Sequence, residues 1–182
     1  ARVEGHTFII PPTGYDRLSV SHDDLVLVQD SQREKGKLPS RAVLLHDAIY
    51  RTHPEIGCII TAQSPYATAY AISGQPFRTR TIPESYIMLL DVPKLPFGAQ
   101  YSDPDTVAKM LSPQCPVILL QNDGVLTTGG SVLQAFDRLE VVEFTARSLI
   151  ETRSIGPVVP IGEDEIRDLQ AKFLQGIIPS LS

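Results

Sequence analysis

Residues 56–74 read IGCIITAQSPYATAYAISG. Ile56 to Thr61 are apolar and β-branched almost throughout, which predicts a short buried strand. Ser64-Pro65 then offers an N-cap followed by a first helical residue whose missing N–H has no partner to lose, and Gly74 offers a stop at C′. A strand that turns within a few residues into a helix is the repeating unit of layered α/β proteins.

The same alternation continues on both sides. Upstream, Ser40 reads as the N-cap of a helix running to about His53. Ala42, Leu45 and Ile49 recur along it at helical spacing, and Pro54 cannot extend it. Thr7–Ile10 and Asp24–Gln29 read as strands, the first stopped by Pro11-Pro12, with Gln32–Lys37 a charged loop. Downstream, Thr79–Ile82 is a weak strand. Ser102 or Asp103 caps a helix from Pro104 to Leu111. Pro116–Gln121 and Val125–Thr128 form a hairpin across Asn122-Asp123-Gly124. Ser131 opens the longest helix, Val132–Glu151, whose stripe is Ala135, Leu139, Val142, Ala146 and Leu149. A last helix, Glu163–Gln175, begins with three acids that suit its dipole. The order β-β-α-β-α-β-α-β-β-α-α predicts a three-layer α/β/α sandwich with a central mixed sheet.

Composition narrows the class of function. The chain has 182 residues, 42 % hydrophobic and 20 % charged, with a net charge of −5. That suits one folded domain. An acidic chain without a basic face is a poor non-specific partner for nucleic acid. No apolar run reaches the roughly 18 residues of a membrane span. Cys58 and Cys115 both lie in apolar runs and read as buried thiols of a reducing, cytoplasmic compartment. No GxGxxG, P-loop, GxSxG, HExxH or CxxC pattern is present. None of His6, His22, His46 and His53 pairs with another at metal-binding helical spacing. His46 reads as a hydrogen-bonded structural residue and His53 as a helix C-terminal one.

The collinear set of motifs is more specific than any one of them. In order they are Ile10-Pro11-Pro12-Thr13-Gly14, Gly36-Lys37-Leu38-Pro39-Ser40, His46-Asp47-Ala48-Ile49-Tyr50-Arg51, Ser64-Pro65-Tyr66-Ala67-Thr68-Ala69, Asn122-Asp123-Gly124 and Ala135-Phe136-Asp137-Arg138. Together, over residues 7 to 150, they resemble the class II aldolase/adducin family. That family includes fuculose- and rhamnulose-phosphate aldolases, ribulose-phosphate epimerases and the non-enzymatic adducin head. The resemblance implies a single domain with a core at 7–150 and a C-terminal helical extension at 157–178. It also implies a homo-oligomer, of tetrameric order in most members.

The resemblance also locates the family's chemistry, and here the sequence departs from it. The zinc histidines would stand at Thr61, Gln63 and Asp123. The catalytic acid would stand at Ala42, and a proton-transferring tyrosine at Phe97. The family's Gly-Asn-Ile-Ser phosphate loop would precede Arg2. Its absence, with a chain that starts without Met, implies a longer polypeptide. Aldol chemistry of this class needs a Lewis acid and a positioned base, and the residues at these places supply neither. No cofactor is expected; at most Asp123, with Arg41 as its candidate partner, would hold a divalent cation weakly. Part of the anion pocket is retained as Thr13, Gly14, Ser40 and Arg41, which would suit phosphate or carboxylate. The expected function is an aldolase-fold domain without zinc-dependent chemistry that binds an anionic sugar or acid metabolite or serves as a structural subunit. Its alternatives are an active sugar-phosphate lyase or epimerase with a non-standard metal site, and an adducin-like interaction domain.

Overall fold

A computed structural model of the chain describes residues 1–174. Two four-stranded sheets carry the strands. The first is antiparallel, in the order β1 (Arg2–Glu4), β2 (Thr7–Ile10), β3 (Val26–Gln29) and β4 (Gln32–Arg33). Period-two alternation buries Phe8, Ile10, Val26 and Val28 on one face. The second contains β5 (Cys58–Ala62), β8 (Gly124–Gly129), β7 (Val117–Leu120) and β6 (Lys94–Leu95) side by side. It is mixed: only β6 and β7 run parallel.

Every residue of β7 and β8 is buried, because both faces of this sheet are covered. On one face Ile118, Leu120 and Leu126 meet α1 (Val43–Thr52), α5 (Pro104–Met110) and the buried face of β2 and β3. On the other, Val117, Leu119 and Val125 meet α2 (Pro65–Ile72), α3 (Pro83–Leu89) and α6 (Val132–Thr152). The three layers and the mixed sheet are as the sequence predicts. The separate N-terminal sheet is not, and it draws Arg2–Glu4, upstream of the expected core, into the fold.

Three helix starts differ from expectation or confirm it for physical reasons. α6 starts at Val132 as expected, and Ser131 caps it, its side chain accepting from the Gln134 N–H at 3.1 Å. Ser40 does not cap α1. Its N–H bonds the Pro11 carbonyl at 2.9 Å, beside a bridge between Pro12 and Pro39, and the helix begins three residues later. Ser64 makes no side-chain cap for α2. Glu143 on α6 does so instead, accepting from the N–H groups of Tyr66 and Ala67, both at 2.9 Å.

Other differences are short elements. The expected strand at 79–82 is only an Arg80–Ile82 bridge, and α3 follows it. α3 stops at Leu90, which takes φ 53°, so no glycine announces its end. Gln32 and Arg33 pair with β3 rather than lying in a loop. A single turn, α4 (Ala99–Ser102), precedes α5. After α7 (Glu163–Leu169) a π-helical turn runs over Gln170–Leu174. The remainder of the expected extension, 175–178, lies outside the described residues. Both cysteines are free thiols. Among the described residues no helix is long and apolar enough to cross a membrane.

Candidate functional site

The edge of β5 and the tip of the β7–β8 hairpin meet at one point because of register. Ala62 lies opposite Val125, so Gln63 and Asp123 emerge side by side. The turn is tight: Asn122 takes φ 56°, and Asp123 N–H bonds the Leu120 carbonyl at 3.0 Å. Gly124 is required there, since a Cβ on it would sit 2.2 Å from the Ala62 carbonyl oxygen.

This point lines a cleft of about 690 Å³. Its walls are the Ile10–Tyr15 segment, Ser40–Ala42 before α1, residues 59–63, and Arg17, His46, Tyr101 and Asp123. Thr13, Gly14, Ser40 and Arg41 are thus brought together in one cleft. Gly14 turns the chain there with φ 78°, and Thr13 N–H is tied to the Leu38 carbonyl at 3.0 Å. The Ser40 hydroxyl has only a long contact, 3.4 Å from the Ala42 N–H. Arg17 and Arg41 form no ion pair among the described residues.

In the same cleft the Asp123 carboxylate is held by two amides. Oδ1 accepts from Gln63 Nε2 at 3.2 Å and Oδ2 from Gln100 Nε2 at 2.8 Å. Arg41, the expected partner, is not among its contacts; the turn instead aims the carboxylate at these two side chains. Thr61 Oγ1 shares a hydrogen bond with His46 Nε2 at 3.2 Å. Burial pushes the His46 pKa down to about 3, so the ring is neutral near pH 7 and serves as a structural partner.

Residues 1–150 match the family model described as Class II Aldolase and Adducin N-terminal domain. The chain belongs to this class II aldolase/adducin family. Among relatives, 172 residues are 26 % identical to the 5-deoxy-D-ribulose 1-phosphate aldolase of Bacillus thuringiensis, covering 90 % of this chain and 78 % of that one. Human beta-adducin is 29 % identical over 141 residues, 72 % of this chain but only 19 % of adducin. The L-fuculose 1-phosphate aldolase from Glaciozyma antarctica superposes with a TM-score of 0.75 at 25 % identity, over 92 % of this chain and 67 % of that one.

The family's zinc does not fit this class II aldolase/adducin domain at the places the resemblance marks. Zinc is held by thiolate, imidazole and carboxylate donors. Here the donors would be a hydroxyl engaged with His46, an uncharged amide, and a carboxylate already accepting two N–H groups. Among the described residues no three His, Cys, Asp or Glu side chains gather around a common point. Ala42 brings no titratable group to the acid position. Phe97 is 71 % exposed and does not line the cleft; the phenols at the cleft are Tyr15 and Tyr101, the latter on α4. Gln100, Tyr101, Tyr15 and Arg17 are cleft or near-cleft residues that sequence reasoning missed. A one-turn helix and an irregular loop carry no periodicity to announce them, and only a register argument from β6 would have placed Gln100 beside Asp123.

Proposed function

We propose that this aldolase-fold domain binds a small anionic metabolite, a phosphorylated or carboxylated sugar derivative, and performs no zinc-dependent aldol cleavage at this cleft. One observation carries the reading: Asp123 and Thr61, at two of the three metal positions, are committed to Gln63, Gln100 and His46. Two guanidinium groups of the cleft, Arg17 and Arg41, without ion-pair partners among the described residues, support the anion-binding half. Guanidinium and hydroxyl groups suit either phosphate or carboxylate, and the relatives' names point to phosphate esters.

The same reading has the chain act on a small molecule rather than on nucleic acid or a membrane surface. It has one domain built on the family core, assembled as a homo-oligomer, with a tetramer as the form the family resemblance implies. The free thiols suit a reducing cytoplasmic setting. Enzymatic relatives keep a lyase in view as the competing outcome.

Calorimetric titration with inorganic phosphate and with sugar phosphates, beside a cleavage assay containing Zn²⁺, Mg²⁺ or Mn²⁺, tests this. Saturable binding that weakens about tenfold or more in Arg41→Ala, with no carbon–carbon cleavage, is expected. Cleavage of a sugar phosphate stimulated by a divalent ion would overturn the reading in favour of a lyase.

A further inference from the structure

A second cavity adjoins the cleft. It is an open groove of about 550 Å³, and Ser40, Arg41 and Tyr101 line both. The rest of its lining is Arg33, Pro39, Val43 and Leu44, none of which lines the cleft. The groove is built in advance from tied pieces. Arg33, on β4, donates to the Lys37 carbonyl. Pro39 is bridged to Pro12. Val43 opens α1 with its N–H on the Ser40 carbonyl at 3.0 Å, and Tyr101 N–H bonds the Gly98 carbonyl at 2.9 Å.

Two properties of this lining decide what it takes. The first is an apolar floor. Leu44 is 63 % exposed and Tyr101 49 %. A lone exposed leucine is ordinary, but here it shares one groove with a phenol ring, a valine and a proline, and a contiguous apolar surface of this kind marks a contact site. The second is charge of one sign. Arg33 and Arg41 are the only charged side chains in the lining, and neither forms an ion pair among the described residues. A neutral apolar molecule would leave both cations without a partner, and a hydrated polar one would leave the floor unused. A guanidinium grips a carboxylate through two N–H groups and also stacks on a flat ring.

We infer that this groove is a binding site for an aromatic anion of the aryl carboxylate class, its ring on Val43, Leu44 and Tyr101 and its charge recognised by Arg33 and Arg41. The site goes beyond the reading of the cleft and does not depend on it.

NMR titration of the intact chain with three probes tests this: 2-naphthoate, the neutral 2-naphthalenemethanol, and acetate. 2-Naphthoate is expected to bind with a Kd of about 1 mM or below, about tenfold or more tighter than either of the others. Equal binding of the alcohol removes the arginines from the site, equal binding of acetate removes the apolar floor, and either result overturns the inference. So does absence of 2-naphthoate binding. Leu44→Ala and Arg33→Ala, exposed positions outside the cleft, should each weaken 2-naphthoate about fivefold or more, and an affinity unchanged in both folded variants places the ligand elsewhere and overturns the assignment. If a second copy of the chain covers the groove instead, the wild-type chain takes no 2-naphthoate and Leu44→Glu lowers the sedimenting mass. Inorganic phosphate, the probe of the cleft, is titrated separately, so failure here and failure of the anion-binding reading are told apart.

Discussion

Replacing Glu143 with alanine removes the cap of a helix to which Glu143 does not belong. Its two oxygens accept from consecutive backbone N–H groups, Tyr66 and Ala67, each at 2.9 Å. These are the second and third residues of α2, where the first-turn donors have no partner within the helix. The acceptor is anionic and sits at the positive end of the helix dipole. Loss of a neutral cap costs about 0.5–2 kcal/mol, and a hydrogen bond to a charged group is worth about 1.5–3 kcal/mol. Two such bonds on a half-buried side chain therefore place the cost of Glu143→Ala at about 2–4 kcal/mol before relaxation.

Relaxation has an identifiable route. The Ser64 hydroxyl stands at the usual cap position, is buried, and makes no hydrogen bond. Once the carboxylate is gone, a rotation about χ1 lets it accept from a first-turn N–H and return about 1 kcal/mol. The net loss is then about 1–3 kcal/mol, or roughly 3–10 °C in melting temperature for a chain of this size. Ser64→Ala in the wild-type background should be nearly silent. In the Glu143→Ala background it should cost about 1 kcal/mol more. Urea unfolding of the four proteins in this double-mutant cycle measures both numbers. A Glu143→Ala protein as stable as wild type with the same denaturant slope would falsify the cap assignment. A Ser64→Ala protein as damaged as Glu143→Ala would show that the serine, not the glutamate, holds the helix.

Two further changes test the scaffold of the cleft. Gly124→Ala should destabilise by about 3 kcal/mol or more, since its Cβ would lie 2.2 Å from a backbone oxygen in the β5–β8 pairing; circular-dichroism melting reads it, and a wild-type melting point would refute the close approach. His46 supplies a pH dependence. Its pKa is lowered from 6.5 to about 3 on folding by burial, so between those values the unfolded chain binds the extra proton. Stability is therefore complete above about pH 6.5 and falls as the pH drops toward 3, by at most about 1.4 kcal/mol per unit. Denaturant titrations at several pH values should show a shallower acid slope in His46→Gln, and identical slopes would refute the burial argument.

What was legible in the sequence follows from what repeats or caps. Val117–Leu120 and the α6 stripe announce themselves because burial on both faces or on one stripe writes a periodic pattern. The start of α6 at Val132 is read correctly, and its Ser131 cap is local to its own helix. The cap of α2 is not legible, because its acceptor lies 77 residues away on α6. α3 escapes because it is seven residues long and ends on Leu90 in a left-handed conformation where glycine would be looked for. Within the cleft, Thr13, Gly14, Ser40 and Arg41 can be placed together from motif order. The partner of Asp123 cannot: a charge-based guess selects Arg41, whereas the register of β5 against β8 and the turn of α4 deliver two glutamines.

That register also explains how residues 61, 63 and 123 are placed by the fold alone. Residues 61, 63 and 123 converge because Ile59 and Leu126 face one core, Val125 faces the other, and Gly124 lets the hairpin close against Ala62. None of those determinants is a side chain that a metal or a ligand would touch. The three converging positions contribute little to burial, so their identities are set by what they bind and by one another. A carboxylate at the hairpin tip would be costly alone in a partly buried corner, and the two amides that meet it offset that cost. Gln63, Gln100 and Asp123 are therefore best understood as one hydrogen-bonded unit. Replacing Asp123 with histidine alone would leave two amide donors facing an imidazole.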